Sequence, residues 1–152
     1  MKKLTMLFIL ISFFGEPQSL GQINDDLSIL PFLKDVTFYI DQIEKDYYKI
    51  NKLEFDLVSN SVIKSTPVKL YDNQFYKILL FGETGKILDI KLKIKIYVDN
   101  KWTIVKEINN PTNILNTDFK PALTDYYEFE ITVGRFVSGY SVGRYCLIVS
   151  YD

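Results

Sequence analysis

Two periodicities divide the chain. From Pro31 the apolar residues fall at Phe32, Val36, Tyr39, Ile40, Ile43 and Tyr47, with Asp35, Asp41, Glu44 and Lys45 between them. Steps of three and four place the apolar set on one face of a helix, predicted over about 31–48. Pro31 suits the first turn, where its missing N–H costs nothing. Val36, Thr37 and Ile40 are β-branched and oppose the helix weakly. From about residue 52 the period drops to two. Leu53, Phe55 and Leu57 alternate with Lys52, Glu54 and Asp56. Val68 and Leu70 follow, then Asp72-Asn73, a dipeptide that suits a two-residue hairpin turn. A strand over Gln74 to Phe81 and the loop Gly82-Glu83-Thr84-Gly85 come next.

The longest alternation sets Ile90, Leu92, Ile94, Ile96 and Val98 against Asp89, Lys91, Lys93, Lys95 and Tyr97. Asp99-Asn100 turns it into Lys101 to Val105, in which Trp102 has a core-like pattern position. Asn109 to Lys120 is polar, contains Pro111 and reads as a long loop. Tyr127, Phe129, Ile131 and Val133 alternate with Tyr126, Glu128, Glu130 and Thr132. Gly134 to Gly143 reads as a loop and Arg144 to Tyr151 as the closing strand. Seven or eight short strands after one helix predict a mainly β protein: a jelly-roll-like antiparallel β-sandwich with one N-terminal helix.

The first residues carry a different pattern. Lys2 and Lys3 precede a nearly all-apolar run from Leu4 to Phe14, which Gly15, Glu16 and Pro17 end. The run falls short of the about 20 residues that span a bilayer, and it suits a signal peptide over 1–21 with cleavage before Gln22. An uncleaved anchor is the alternative. The expectation is an exported protein (periplasm, cell surface or secreted) with a single domain over 22–152 and no stable membrane span after cleavage.

Composition narrows the chemistry. The 152 residues are 47% hydrophobic and 15% aromatic, which is globular. There is no histidine, which excludes a Ser-His-Asp triad, a Cys-His dyad and histidine metal ligands. The one cysteine, Cys146, excludes an intrachain disulfide and a cysteine zinc site. It lies in Tyr145-Cys146-Leu147-Ile148-Val149 and reads as a small buried hydrophobe. Eighteen basic against nineteen acidic residues leave no basic surplus for a nucleic-acid partner.

The second half resembles a bacterial pre-peptidase C-terminal-like (PPC-like) domain, a secreted jelly-roll-type sandwich. The resemblance covers roughly 66–151. It is carried by Phe75-Tyr76-Lys77-Ile78-Leu79-Leu80-Phe81-Gly82, Leu88-Asp89-Ile90-Lys91-Leu92, Phe119-Lys120-Pro121, Asp125 to Ile131 and Val142 to Val149. It implies a β-sandwich and secretion. Such domains usually follow an enzyme, and no catalytic domain precedes this one in the sequence, so the resemblance leaves activity open. A glycine often found before the first closing tyrosine is replaced by Thr124-Asp125.

Several side chains are candidates for function. Glu54 with Asp56, and Glu128 with Glu130, are carboxylate pairs two residues apart, a spacing that a small hydrolase uses. Lys91, Lys93 and Lys95 form a ladder that suits an anionic polysaccharide. Pairing between these opposite charges on neighbouring strands explains both sets without a site. Tyr97 and Tyr126, with Tyr47, Tyr48 and Tyr140, are placed to stack on sugar rings, or to pack at the edge of the core. Asp72, Asn73, Glu83, Asp99, Asn100, Asp118 and Asp125 lie in turns without the Asp-x-Asp-x-Asp-Gly run of a calcium loop. Gly82-Glu83-Thr84-Gly85-Lys86 lacks the spacing of a phosphate loop.

The expectation is a non-catalytic binding or accessory module acting on a cell-surface or extracellular protein or glycan, without a cofactor. Its possible ligand surface is Lys91, Lys93, Lys95, Tyr97 and Tyr126. Alternatives are a carbohydrate-binding protein and a carboxylate-dependent hydrolase.

Overall fold

The computed structural model describes residues 29–152; the segment read as a signal peptide lies outside them. Residues Pro31–Asp152 form one compact unit. Helix α1 (Ile29–Lys45) is followed by β1 (Lys49–Ser59), β2 (Lys64–Leu70), β3 (Tyr76–Gly82) and β4 (Ile87–Val98). Then come β5 (Lys101–Ile108), β6 (Ile114–Phe119), β7 (Asp125–Phe136) and β8 (Val142–Tyr151).

The strands form two four-stranded sheets, β1-β8-β3-β6 and β2-β7-β4-β5. All the strand pairings of both sheets are antiparallel. Successive strands β1, β2 and β3 alternate between the sheets, and β7 and β8 return between the earlier strands. This is the double Greek-key order of an eight-stranded jelly roll.

The period-two pattern explains why the sheets stack. Ile90, Leu92, Ile94 and Ile96 of β4 and Tyr127, Phe129, Ile131 and Val133 of β7 face inward. They meet Tyr76, Ile78 and Leu80 of β3 and Tyr145, Leu147 and Val149 of β8 in one core. The first sheet is apolar on its outer face too. There Leu79, Phe81, Cys146 and Ile148 pack against Phe32 and Val36 of α1, flanked by Tyr39, Ile40 and Ile43. Strands β3 and β8 therefore read as continuous apolar runs because both of their faces are covered. Cys146 is fully buried, as expected, and burial pushes its thiol up to about 12.

Three expectations are corrected. Asn109 to Lys120 is not a loop, since β6 occupies its second half. An edge strand with one buried residue, Leu115, needs little apolar sequence. Asp72-Asn73 does not make a hairpin, because the chain crosses there from one sheet to the other; a turn bond from the Gln74 N–H to the Tyr71 carbonyl closes the crossing. The helix ends at Lys45, and Tyr47 leaves the predicted apolar face, 91% exposed with φ of 64°. By contrast Asp99 and Asn100, with φ of 52° and 59°, make the expected tight turn between β4 and β5.

Candidate ligand-binding face

Helix α1 covers the outer face of the first sheet, and the outer face of the second sheet carries the candidate residues. Register arranges them in rows. Lys69 of β2 is opposite Tyr126 of β7, and Tyr97 of β4 is opposite Trp102 of β5. Strands β4 and β7 pair up to Ile96 and Tyr127, and one further step of that register brings Tyr97 beside Tyr126. The end row thus reads Lys69, Tyr126, Tyr97, Trp102 across four strands. The three rings are 59%, 51% and 51% exposed. Tyr97 and Trp102 meet edge to face with centroids 5.3 Å apart, so the strip is stepped and not flat.

Trp102, expected in the core, is therefore part of the surface. Alternation along Lys101 to Val105 gives no face on its own, because β5 is an edge strand and most of its residues are exposed. Its facing follows from the register with Tyr97 across the Asp99-Asn100 turn. A bulge between Ile94 and Lys95 then resets the pairing further along β5.

Buried tyrosines fix the loops beside this strip. The Tyr76 hydroxyl accepts from the Tyr71 N–H at 2.9 Å and donates to Gln74 at 2.8 Å. The Tyr127 hydroxyl donates to the Leu123 carbonyl at 2.9 Å. Burial raises both phenols above their ordinary range, so both remain donors at neutral pH. Tyr71, held in this way, brings a fourth exposed ring to the strip. The Lys69 ammonium lies 5.6 Å from the Tyr71 ring centroid and 6.0 Å from that of Tyr126.

The rows behind the strip are charged and largely self-neutralised. Lys95 bonds Glu130, Ser65 donates to Glu128, and Lys93 meets Glu107 at 3.3 Å. The Asn109 amide and then Lys93 hold the Glu107 carboxyl below its ordinary value. Lys91 has no carboxylate within ion-pair distance among the described residues. Of the five expected surface residues, Tyr97 and Tyr126 come together in the strip. Lys93 and Lys95 form the paired ladder behind it, and Lys91 stands at its far end.

Of the first carboxylate pair, Glu54 is part-buried and Asp56 is exposed. They lie at the seam between the edge strands β1 and β2. Glu54 accepts from the Tyr145 hydroxyl at 2.9 Å and from Thr66 at 2.5 Å, and pairs with Lys52 at 3.2 Å. Asp56 pairs with Lys64 at 2.6 Å, a bond that lowers its pKa. Burial, then the hydrogen bond to Glu54, keeps the Tyr145 phenol protonated far above its usual range. These bonds tie the two sheets together along one side of the sandwich.

Glu83 is a second bonded carboxylate, 5% exposed in the β3–β4 connection. It accepts from the Arg144 guanidinium and the Arg144 backbone N–H, both at 3.0 Å, and meets Lys86 at 2.9 Å. The Gly82 to Lys86 loop is thus held as a structural corner. Among the described residues no group of three His, Cys, Asp or Glu is placed to hold a metal, and no helix is long and apolar enough to cross a membrane.

No family model matches the sequence. A probable DNA polymerase of Ascobolus immersus is 37% identical over 83 residues, 53% of this chain and 7% of that protein. The chain therefore spans a small fraction of that relative's length. Among solved structures, the Yersinia pseudotuberculosis-derived mitogen YPM matches with a TM-score of 0.48 and 10% identity, over 69% of this chain and 87% of that one. A CBM4 structure matches at 0.40 and 14%, over 70% and 79%. The family 32 CBM of C. perfringens NanJ, solved with galactose, matches at 0.37 and 13%, over 67% and 98%. At these values the likenesses assign no ligand.

Proposed function

We propose that this chain is an exported, non-catalytic carbohydrate-binding module whose site is the strip Tyr126–Tyr97–Trp102. One observation carries the reading: three exposed aromatic rings stand in register across adjacent strands, on the sheet face opposite the helix-covered one. Strands lie about 4.8 Å apart, so successive rings are spaced on the scale of one pyranose unit. An aromatic face stacks on the C–H face of a sugar, and the tyrosine hydroxyls meet its rim. The four candidate carboxylates are each bonded to a neighbouring side chain, which favours binding over hydrolysis. Export rests on the pattern of residues 1–21, and kinship with PPC-like domains on residues 66–151; both belong to the same proposal.

Trp102 is the sole tryptophan, so its fluorescence reports directly on the strip. Native electrophoresis in gels containing a panel of polysaccharides, followed by fluorescence titration, tests the reading. Retardation with at least one glycan is expected, with a change in Trp102 emission and no release of sugars. Tyr97→Ala and Tyr126→Ala should each weaken retardation roughly tenfold, the loss of one stacking contact. Retardation that survives Tyr97→Ala, Tyr126→Ala and Trp102→Ala together would place the site elsewhere. Released sugars would overturn the non-catalytic reading.

A further inference from the structure

We infer that Lys69 makes this strip selective for glycans that carry a carboxylate, that is, polymers of uronic acids; the inference rests on the carbohydrate-binding reading above. Lys69 closes the aromatic row directly opposite Tyr126. Its ammonium is held near two rings, Tyr71 and Tyr126, and has no carboxylate within ion-pair distance among the described residues. Of the lysines further along the same face, Lys93 and Lys95 are already paired with Glu107 and Glu130, and Lys91, though without an ion pair, stands at the far end, away from the rings.

The acids nearest in sequence are engaged within their own loops. Asp72 accepts from Thr124 at 2.7 Å, and Asp125 accepts from the Tyr126 N–H at 2.7 Å. The Lys69 charge is therefore available to a ligand, and it stands at the end of a stacking surface instead of within it.

The stereochemistry of a uronic acid fits this placement. Its carboxylate is attached at C5, in the rim of the pyranose ring. A ring stacked face-down on Tyr126 projects that carboxylate sideways, toward a neighbour on the next strand. Side chains directly opposite on paired strands have Cβ atoms about 5 Å apart, within reach of a lysine stem. A charge-assisted hydrogen bond of this kind is stronger than a neutral one, and the adjacent rings exclude water from part of it. A neutral hexose offers only a hydroxymethyl group at the same position.

The test compares polyglucuronate with the same polymer after reduction of its carboxyl groups, using the full chain and Trp102 fluorescence. Polyglucuronate is expected to bind about tenfold more tightly than its reduced counterpart, with a preference that shrinks as salt is raised from low to high ionic strength. Lys69→Met keeps the apolar stem against the rings and should bring polyglucuronate down to the affinity of the reduced polymer, leaving the latter unchanged. Thermal melting of the variant verifies that it folds. Equal affinity for the two polymers, or a preference that survives Lys69→Met, would overturn the inference while leaving the strip as a sugar site. Binding of neither polymer nor of any polysaccharide in the panel would overturn both.

Discussion

Tyr47 is the residue whose replacement should stabilise the protein. Helix α1 ends in a Schellman motif: the Tyr48 N–H bonds the Ile43 carbonyl and the Tyr47 N–H bonds the Glu44 carbonyl, each at 3.1 Å. The motif requires a left-handed residue at the position after the cap, and Tyr47 supplies it with φ of 64°. Glycine is the usual occupant because it has no Cβ to clash with the following carbonyl oxygen. An L residue in this conformation costs about 1–2 kcal/mol. The Tyr47 side chain returns little of this, because it is 91% exposed. Tyr47→Gly removes the strain, but the more flexible unfolded chain offsets about 0.5–1 kcal/mol of the gain. The net expectation is a stabilisation of about 0.5–1 kcal/mol, or a rise in Tm of about 1–4 °C. Urea titration of the full chain, followed by far-UV circular dichroism, measures it. Tyr47→Ala is the control, since alanine keeps the strained backbone and should change stability by less than about 0.5 kcal/mol. An equal gain in both variants would show that the ring, and not the backbone, is unfavourable. A loss in Tyr47→Gly would show that the ring has a partner in solution, and would refute the argument.

The other expectations follow the same logic. Glu83→Gln leaves Arg144 and Lys86 opposite a neutral amide, and should cost about 2–3 kcal/mol by urea titration, since both cations still reach some solvent. Phe32→Ala removes the ring that packs on Phe81 at 5.7 Å and should cost about 3–4 kcal/mol; it should also open the Cys146 thiol to a disulfide reagent that the parent resists. Stability should fall above about pH 9. The thiol at Cys146, held near 12 when folded, then ionises only in the unfolded chain, so each pH unit up to that value costs about 1.4 kcal/mol. Tyr145, Tyr127 and Tyr76 add losses of the same sign above pH 10, so Cys146→Ala should flatten the pH 9–10 segment and lessen the slope from there to about pH 12.

The legible parts of the sequence were those where one physical demand dominates. Strand β4 must be buried on one face and wet on the other, so its twelve residues alternate almost without fault. Asp99-Asn100 tolerates the positive φ that its turn needs, and the apolar run around Cys146 signals burial on both faces. The jelly-roll class follows from counting such segments. Strand β6 was hidden because an edge strand over the rim of a core can be Ile-Leu-Asn-Thr-Asp-Phe and still pair fully with β3. Glu54 and Asp56 alternate like surface residues, yet Glu54 is part-buried and both are bonded across to β2, Asp56 while still exposed. The seam between β1 and β2 supplies Thr66, Tyr145, Lys52 and Lys64 as partners, and that supply depends on topology. Trp102 illustrates the same limit, since its facing is set by register across a turn and a bulge and not by its own neighbours in sequence.

The two outer faces of the sandwich show where a site can reside. On the first sheet, the outward positions of β1, β3 and β8 are Leu53, Phe55, Leu79, Phe81, Cys146 and Ile148, and α1 covers them. That face is committed to stability, and a ligand could reach it only by displacing a helix. On the second sheet, the outward positions of β4 and β7 are mostly charged, and most are bonded to neighbours: Lys95 to Glu130, Lys93 to Glu107 of β5 and Glu128 to Ser65, with Lys91 the exception. Such a face stays soluble and gives sheet-to-sheet association nothing to grip. Its end row departs from that rule. Three large rings replace charges, and the one lysine in the row is left without an acid. Stability gains little from them, because the rings lie on the outer face and are at least half exposed. Solubility does not require them either, because charged residues occupy most of the equivalent positions a strand pair away. A row that serves neither demand is where the proposed ligand site falls, and its chemistry, stacking rings ended by a cation, is what the proposal rests on.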